Sequence, residues 1–148
     1  MPAPDLEFLF RVEVETGEEV PVGDTPYGAV RFTHAVGGTV EGPRLRGELL
    51  PLGGDRVVGR ADGTFEINVL QPIRTHDGHT ILMTYKGLIR GLDESADGPP
   101  DPSKVYWRTA PMFETAAEPY AWLNGLVAVG VGGFISPGKV GYEIYAVS

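Results

Sequence analysis

Three side chains on strand-like sequence are suited to acid–base chemistry. His34 sits in an alternating stretch with Val30, Phe32 and Val36 and is the only histidine on an apolar strand face. An unperturbed imidazole titrates near about 6.5, which suits a general base or a hydrogen-bond donor. Tyr85 follows Ile81 and Met83 on one face, where its phenol could orient a ligand carbonyl or hydroxyl. Arg108 shares a face with Tyr106, and a guanidinium among aromatics could hold a carboxylate or an enolate. Each also has a structural reading. His34 would be a rim or satisfied core histidine, and Tyr85 an aromatic with its hydroxyl at a rim. Arg108 would be half of an ion pair, with Glu114 or Asp55. Phe32, Asn68, Met83, Tyr106 and Trp122 are the candidates for ligand contact around these three. A lone amide such as Asn68 in an apolar cavity needs a partner, and a ligand is one option. Trp122 either walls such a site or plugs one end of the fold.

Other chemistries lack their residues. There is no cysteine, which excludes disulfides, thiolate nucleophiles and Cys-ligated zinc. His76-Asp77-Gly78-His79 gathers two histidines and a carboxylate, but Asp-Gly is a hairpin signal and no third ligand is evident, so no metal is expected. No Gly-x-Ser-x-Gly elbow occurs, and none of Ser95, Ser103, Ser136 and Ser148 sits on a strand-to-helix turn. Gly130-Val131-Gly132-Gly133 lies in strand-like sequence rather than ahead of a helix, which disfavours a nucleotide. No cofactor is expected.

The elements that must position these residues are strands. The 148 residues suit one domain, 1–148, and include 21 glycines and 13 prolines. That is about twice the usual share, and these are the poorest helix formers. Phe8, Phe10, Val12 and Val14 alternate with charged residues over 6–16, the pattern of a half-buried strand. Similar runs cover 29–36, 43–51, 56–60, 64–74, 80–89, 105–113, 126–134 and 140–147. In 64–74 the shared face is Phe65, Ile67, Val69, Gln71 and Ile73. Gly17-Glu18-Glu19, Val22–Gly28, Gly37-Gly38 and Gly53-Gly54-Asp55 read as breaks or turns, and Asp62-Gly63 and Asp77-Gly78 as tight hairpins. Residues 93–104, rich in acids and proline, read as an exposed loop, and 118–124 as one short helical turn. Eight to nine long strands with no long helix predict an all-β fold, a closed antiparallel β-barrel. A barrel of that size can hold one small ligand.

Charge and termini narrow the partners. A formal net charge of −8 with no basic block argues against nucleic acid and anionic membranes. The most apolar stretch, 126–135, holds four glycines and falls short of the roughly 20 residues a membrane helix needs. The first residues show no cationic and apolar leader pattern, so a cytoplasmic protein is the expectation. The expected partner is a small hydrophobic molecule.

The order of several motifs resembles a known family. Gly37-Gly38-Thr39-Val40-Glu41-Gly42-Pro43-Arg44-Leu45-Arg46-Gly47-Glu48 is followed by Gly53-Gly54-Asp55 and Thr75-His76-Asp77-Gly78. Tyr106-Trp107-Arg108-Thr109 and Tyr120-Ala121-Trp122-Leu123-Asn124 complete the pattern. Together they resemble the bacterial and fungal family named domain of unknown function 3237. The resemblance implies an antiparallel barrel similar to lipocalin and allene-oxide-cyclase barrels, and little about activity. The chain departs from it at Asn68 and Leu70, where many relatives carry an acid and an arginine.

Three functions suit this reading. One is an enzyme, a cofactor-independent isomerase, cyclase or lyase working by acid–base chemistry through His34, Tyr85 and Arg108. The second is a non-catalytic carrier with the same cavity. The third is a filled structural barrel. Leu126, Val127, Ala128, Val129 and Val131 make one strand apolar on both faces, which fits a homodimer or trimer interface as well as an inner wall.

Overall fold

In the computed structural model, which describes residues 1–148, nine strands join edge to edge. They are β1 (Leu6–Thr25), β2 (Gly28–Glu41), β3 (Arg46–Leu49), β4 (Gly53–Gly59), β5 (Phe65–Thr75), β6 (Thr80–Arg90), β7 (Tyr106–Glu114), β8 (Val127–Ser136) and β9 (Lys139–Val147). Every pairing is antiparallel, and β1 bonds to both β2 and β9, so the sheet closes into a barrel without a free edge. β3 and β4 form one stave broken at residues 50–52. The lower part of β2 and of β5 pairs with β3, and the upper part of each pairs with β4. The nine strands therefore occupy eight positions around the ring.

Several runs expected to be breaks or turns stay extended, and Gly37-Gly38 lies inside the continuous β2. β1 continues through Gly17 to Thr25, with register shifts at Glu15/Thr16, Thr16/Glu19 and Pro21/Gly23 that absorb the glycines and proline. Gly53-Gly54-Asp55 opens β4 instead of ending β3. Its glycines serve close packing. A Cβ on Gly53 would lie 2.0 Å from Gln71 Oε1, and one on Gly54 would lie 2.1 Å from the Phe32 ring. The chain bends instead at Leu50–Leu52, pinned from both sides. Gln71 Nε2 donates to Leu50 O at 3.0 Å and to Pro72 O at 2.7 Å, and His34 Nε2 donates to Pro51 O at 2.9 Å.

The alternation in β5 and β6 turns Phe65, Ile67, Val69, Gln71 and Ile73, with Ile81, Met83 and Tyr85, into the interior, as their spacing predicts. The lower half of the barrel is packed solid around Phe10, Ile73, Ile81, Leu123 and Ile144. A 3₁₀ segment, Glu118–Gly125, closes that end, and its Pro119 and Gly125 fall at start and finish. Leu123 is fully buried there, and Tyr120 donates its phenolic hydrogen to Asp77 Oδ1 at 2.7 Å. Asn124 binds the backbone of Thr115 through both ends of its amide. No helix is long and apolar enough to cross a membrane.

Candidate active site

The upper half of the barrel is not filled. A cavity of about 200 Å³ remains there. Aromatic side chains form much of its wall. Tyr85 and Tyr142 lie 5.2 Å apart by ring centroid, Trp107 meets Tyr142 edge-on at 5.6 Å, and Phe134 meets Trp107 at 4.9 Å. These residues come from β6, β7, β8 and β9, and closure of the ring brings them together.

Among them stands a carboxylate, Asp55, from the run Gly53-Gly54-Asp55 that the sequence predicts to be a turn. Asp55 lies opposite Thr33 on β2 and Val69 on β5, on the inward face of β4 with Val57. Its Oδ1 accepts the backbone N–H of Asn68 at 3.1 Å. Burial pushes the Asp55 carboxyl up to about 6, against the opposing pulls of that N–H and of the Arg31 guanidinium. The two phenols respond to the same enclosure. Burial holds Tyr85 and Tyr142 well above the usual tyrosine range, and the neighbouring Asp55 charge adds to it. Both stay protonated at any working pH and can only donate or accept hydrogen bonds as neutral groups.

Two further polar atoms on the cavity wall have no hydrogen-bond partner, Gln71 Oε1 and Trp107 Nε1. One is an acceptor and the other a donor. Buried polar atoms are rarely left unpaired, so this set is suited to a bound molecule that carries both functions. Arg31 also governs the mouth. Its Nε lies 3.5 Å from a Glu19 oxygen, its Nη1 lies 3.3 Å from Glu94, and its guanidinium sits 5.3 Å over the Phe65 ring. Glu94 belongs to the acidic, proline-rich loop, which thus folds across the open end. A second, larger hollow of about 890 Å³ lies between that loop and the β8–β9 hairpin and shares Thr16, Phe134 and Val140 with the cavity, forming a vestibule.

The expected site residues divide. Tyr85 faces the cavity. Met83 is buried one step lower, in the packed half below it. His34 borders the wall, but the alternation of β2 turns its ring to the outer face, to Pro51. Phe32 shares that outer face and is 45% exposed. The apolar side of β2 therefore points outward, and Arg31, Thr33 and Ala35 point in, because this stretch lines a polar site rather than the core. Asn68, Tyr106 and Arg108 also lie outside, on β5 and β7. Arg108 pairs with neither Glu114 nor Asp55. Its Nη1 donates to Trp107 O at 2.9 Å and its guanidinium lies 5.0 Å over Tyr106. Trp122 is at the closed end, with the Arg44 guanidinium 3.8 Å over its ring. No group of three His, Cys, Asp or Glu side chains that could hold a metal ion occurs; His76 Nδ1 lies 3.2 Å from Arg46 O and His79 Nε2 4.0 Å from Asp77. Asp55 was detectable in principle. Carrying the alternation of β4 back one step from Val57 sets a carboxylate on an inward face.

The model of the family described as protein of unknown function DUF3237 matches residues 4–147. The chain belongs to that family. A UPF0311 protein of Bradyrhizobium diazoefficiens is 33% identical over 127 residues, covering 82% of this chain and 83% of the relative. The hydroalkoxylation enzyme phnH of Penicillium herquei is 31% identical over 128 residues, covering 86% of this chain and 73% of the relative. A crystal structure of a conserved protein of unknown function from Rhodopseudomonas palustris superposes with a TM-score of 0.93 at 27% identity, over the whole of both chains. In this DUF3237 barrel the resemblance leads one to expect an acid and an arginine where Asn68 and Leu70 stand. Both positions are exposed on the outer face of β5, away from the cavity wall.

Proposed function

We propose that the barrel converts a small hydroxylated molecule inside its upper cavity by cofactor-independent acid–base chemistry, with Asp55 as the proton carrier. The observation that carries this reading is the placement of one largely buried carboxyl group among two neutral phenols and unpaired hydrogen-bonding atoms in the upper cavity. A carboxyl that titrates near 6 exchanges protons readily at neutral pH, as a general acid or base must.

The name of the Penicillium relative suggests the reaction type, addition of an O–H across a carbon–carbon double bond. Asp55 in its acid form gives its proton to one alkene carbon. The substrate hydroxyl oxygen bonds to the other carbon, and the hydroxyl proton returns to the Asp55 carboxylate. Nothing is oxidised or reduced, and the carboxyl is regenerated. Tyr85, Tyr142 and the Trp107 N–H would orient the substrate, and the Asp55 carboxylate left by the proton transfer would offset the positive charge that develops on it. An apolar cavity of about 150 Å³ holds benzene. A space of about 200 Å³ therefore takes a single ring with a few substituents.

The test is turnover of a set of one-ring phenols bearing an alkenyl side chain, followed by chromatography for the cyclised ether. Asp55→Asn should abolish conversion while leaving substrate binding within a few-fold. Tyr85→Phe should weaken binding and turnover together. Binding of these compounds by the wild type without conversion would favour a carrier. Full activity in Asp55→Asn would refute the assignment of the proton carrier.

A further inference from the structure

A separate hollow, of about 540 Å³, lies on the outer wall over β4–β7. Four of the chain's 12 basic residues line it, Arg56, Arg60, Lys86 and Arg108, against one acid, Glu66. Glu66 is committed to Arg60, whose Nε donates to it at 2.7 Å. Arg56, Lys86 and Arg108 have no carboxylate partner. In a chain with 20 acidic residues, three neighbouring cations with no carboxylate among them repel one another.

Their placement favours a shared ligand. Arg56, Asn68, Lys86 and Ala110 form one row across four strands, and Arg108 stands two residues from Ala110 along β7. Adjacent strands lie about 4.8 Å apart, so the Arg56 and Lys86 backbones are roughly 10 Å apart, within reach of one molecule for such long side chains. Asn68 stands between Arg56 and Lys86 in this row, and Leu88 and the small Ala110 line the hollow beside Lys86 and Arg108. Arg108 is already fixed, bonded to Trp107 O and stacked on Tyr106, so little side-chain freedom remains to be lost on binding.

We infer that this groove is a binding site for a small multivalent oxyanion, a phosphate ester or a polycarboxylate, held by Arg56, Lys86 and Arg108. Charge selects for small size. Within a Debye length of about 8 Å a compact anion meets mainly these three cations. A nucleic acid or anionic bilayer would extend past them and meet the field of a chain with net charge −8.

The experiment is calorimetric titration of the full chain with pyrophosphate and, separately, with citrate, at low ionic strength. Saturable one-to-one binding is expected for at least one. Pyrophosphate alone identifies phosphate chemistry and citrate alone carboxylate chemistry. The double variant Lys86→Gln/Arg108→Gln should bind at least about tenfold more weakly. Both side chains point outward, and a thermal melt confirms that the variant is folded. Arg44→Gln, which removes a cation at the closed end, should leave the affinity unchanged. Absence of binding by both anions, retained affinity in the double variant, or an equal loss in Arg44→Gln would each overturn the inference.

Discussion

Replacing Asp55 by asparagine should make the protein more stable and inactive at once. Burial raises the carboxyl from 3.8 to about 6, so the folded chain holds this proton more tightly than the unfolded chain does. Stability from this group is fully present below the unfolded value. It falls as pH rises from about 4 to about 6, because the ionised form is poorly tolerated inside. Each pKa unit is worth about 1.4 kcal/mol, so ionisation of Asp55 costs the native state about 3 kcal/mol above pH 6. Asparagine removes the charge, and its Oδ1 can keep the bond from Asn68 N–H. The variant should therefore exceed the wild type by about 3 kcal/mol at pH 8, or roughly 6–12 °C in Tm for a chain of this size. Near pH 4 the two should almost coincide. Urea unfolding at pH 4, 6 and 8 tests this, and the other acidic groups cancel because both chains carry them. A variant less stable than wild type at pH 8, or a gap that does not change with pH, would refute the reasoning. This trade between stability and a sequestered charge is expected of a working site.

Other perturbations test the surrounding structure. His34→Ala should cost about 1 kcal/mol through loss of the bond to Pro51, seen as a small drop in Tm, and leave catalytic turnover intact. Gly53→Ala should cost roughly 1–3 kcal/mol in chemical denaturation, since its Cβ would displace Gln71 from the carbonyls it holds. Val127 and Val131 are 63% and 39% exposed on the outside of β8, while Ala128 between them is buried. If β8 forms an interface between copies, light scattering should show an oligomer in the wild type and a monomer in Val127→Glu/Val131→Glu.

Much of the architecture was legible in the sequence. Period-two alternation identified the inward faces of β5 and β6, the two Asp-Gly pairs marked hairpins, and the glycine and proline content excluded long helices. The site was less legible, for a physical reason. The rule that apolar faces point inward holds where strands meet the packed lower half. It fails on β2, where Arg31 and Thr33 line the cavity and Phe32 packs outside against Gly54. It also hid Asp55, because consecutive glycines signal a turn, whereas here they admit Gln71 and Phe32 against the backbone. Arg108 and Tyr106 do share a face, as their spacing requires, but it is the outer one. Tyr85 was recognisable because its strand follows the apolar rule throughout.

The most direct test of the central claim is the titration of the Asp55 carboxyl carbon by NMR in the intact protein, assigned by comparison with Asp55→Asn. A midpoint near 6 is predicted, with the Tyr85 and Tyr142 ring carbons unchanged through pH 10. A midpoint near 4 would show a carboxyl in ordinary contact with water and would contradict an enclosed acid–base site.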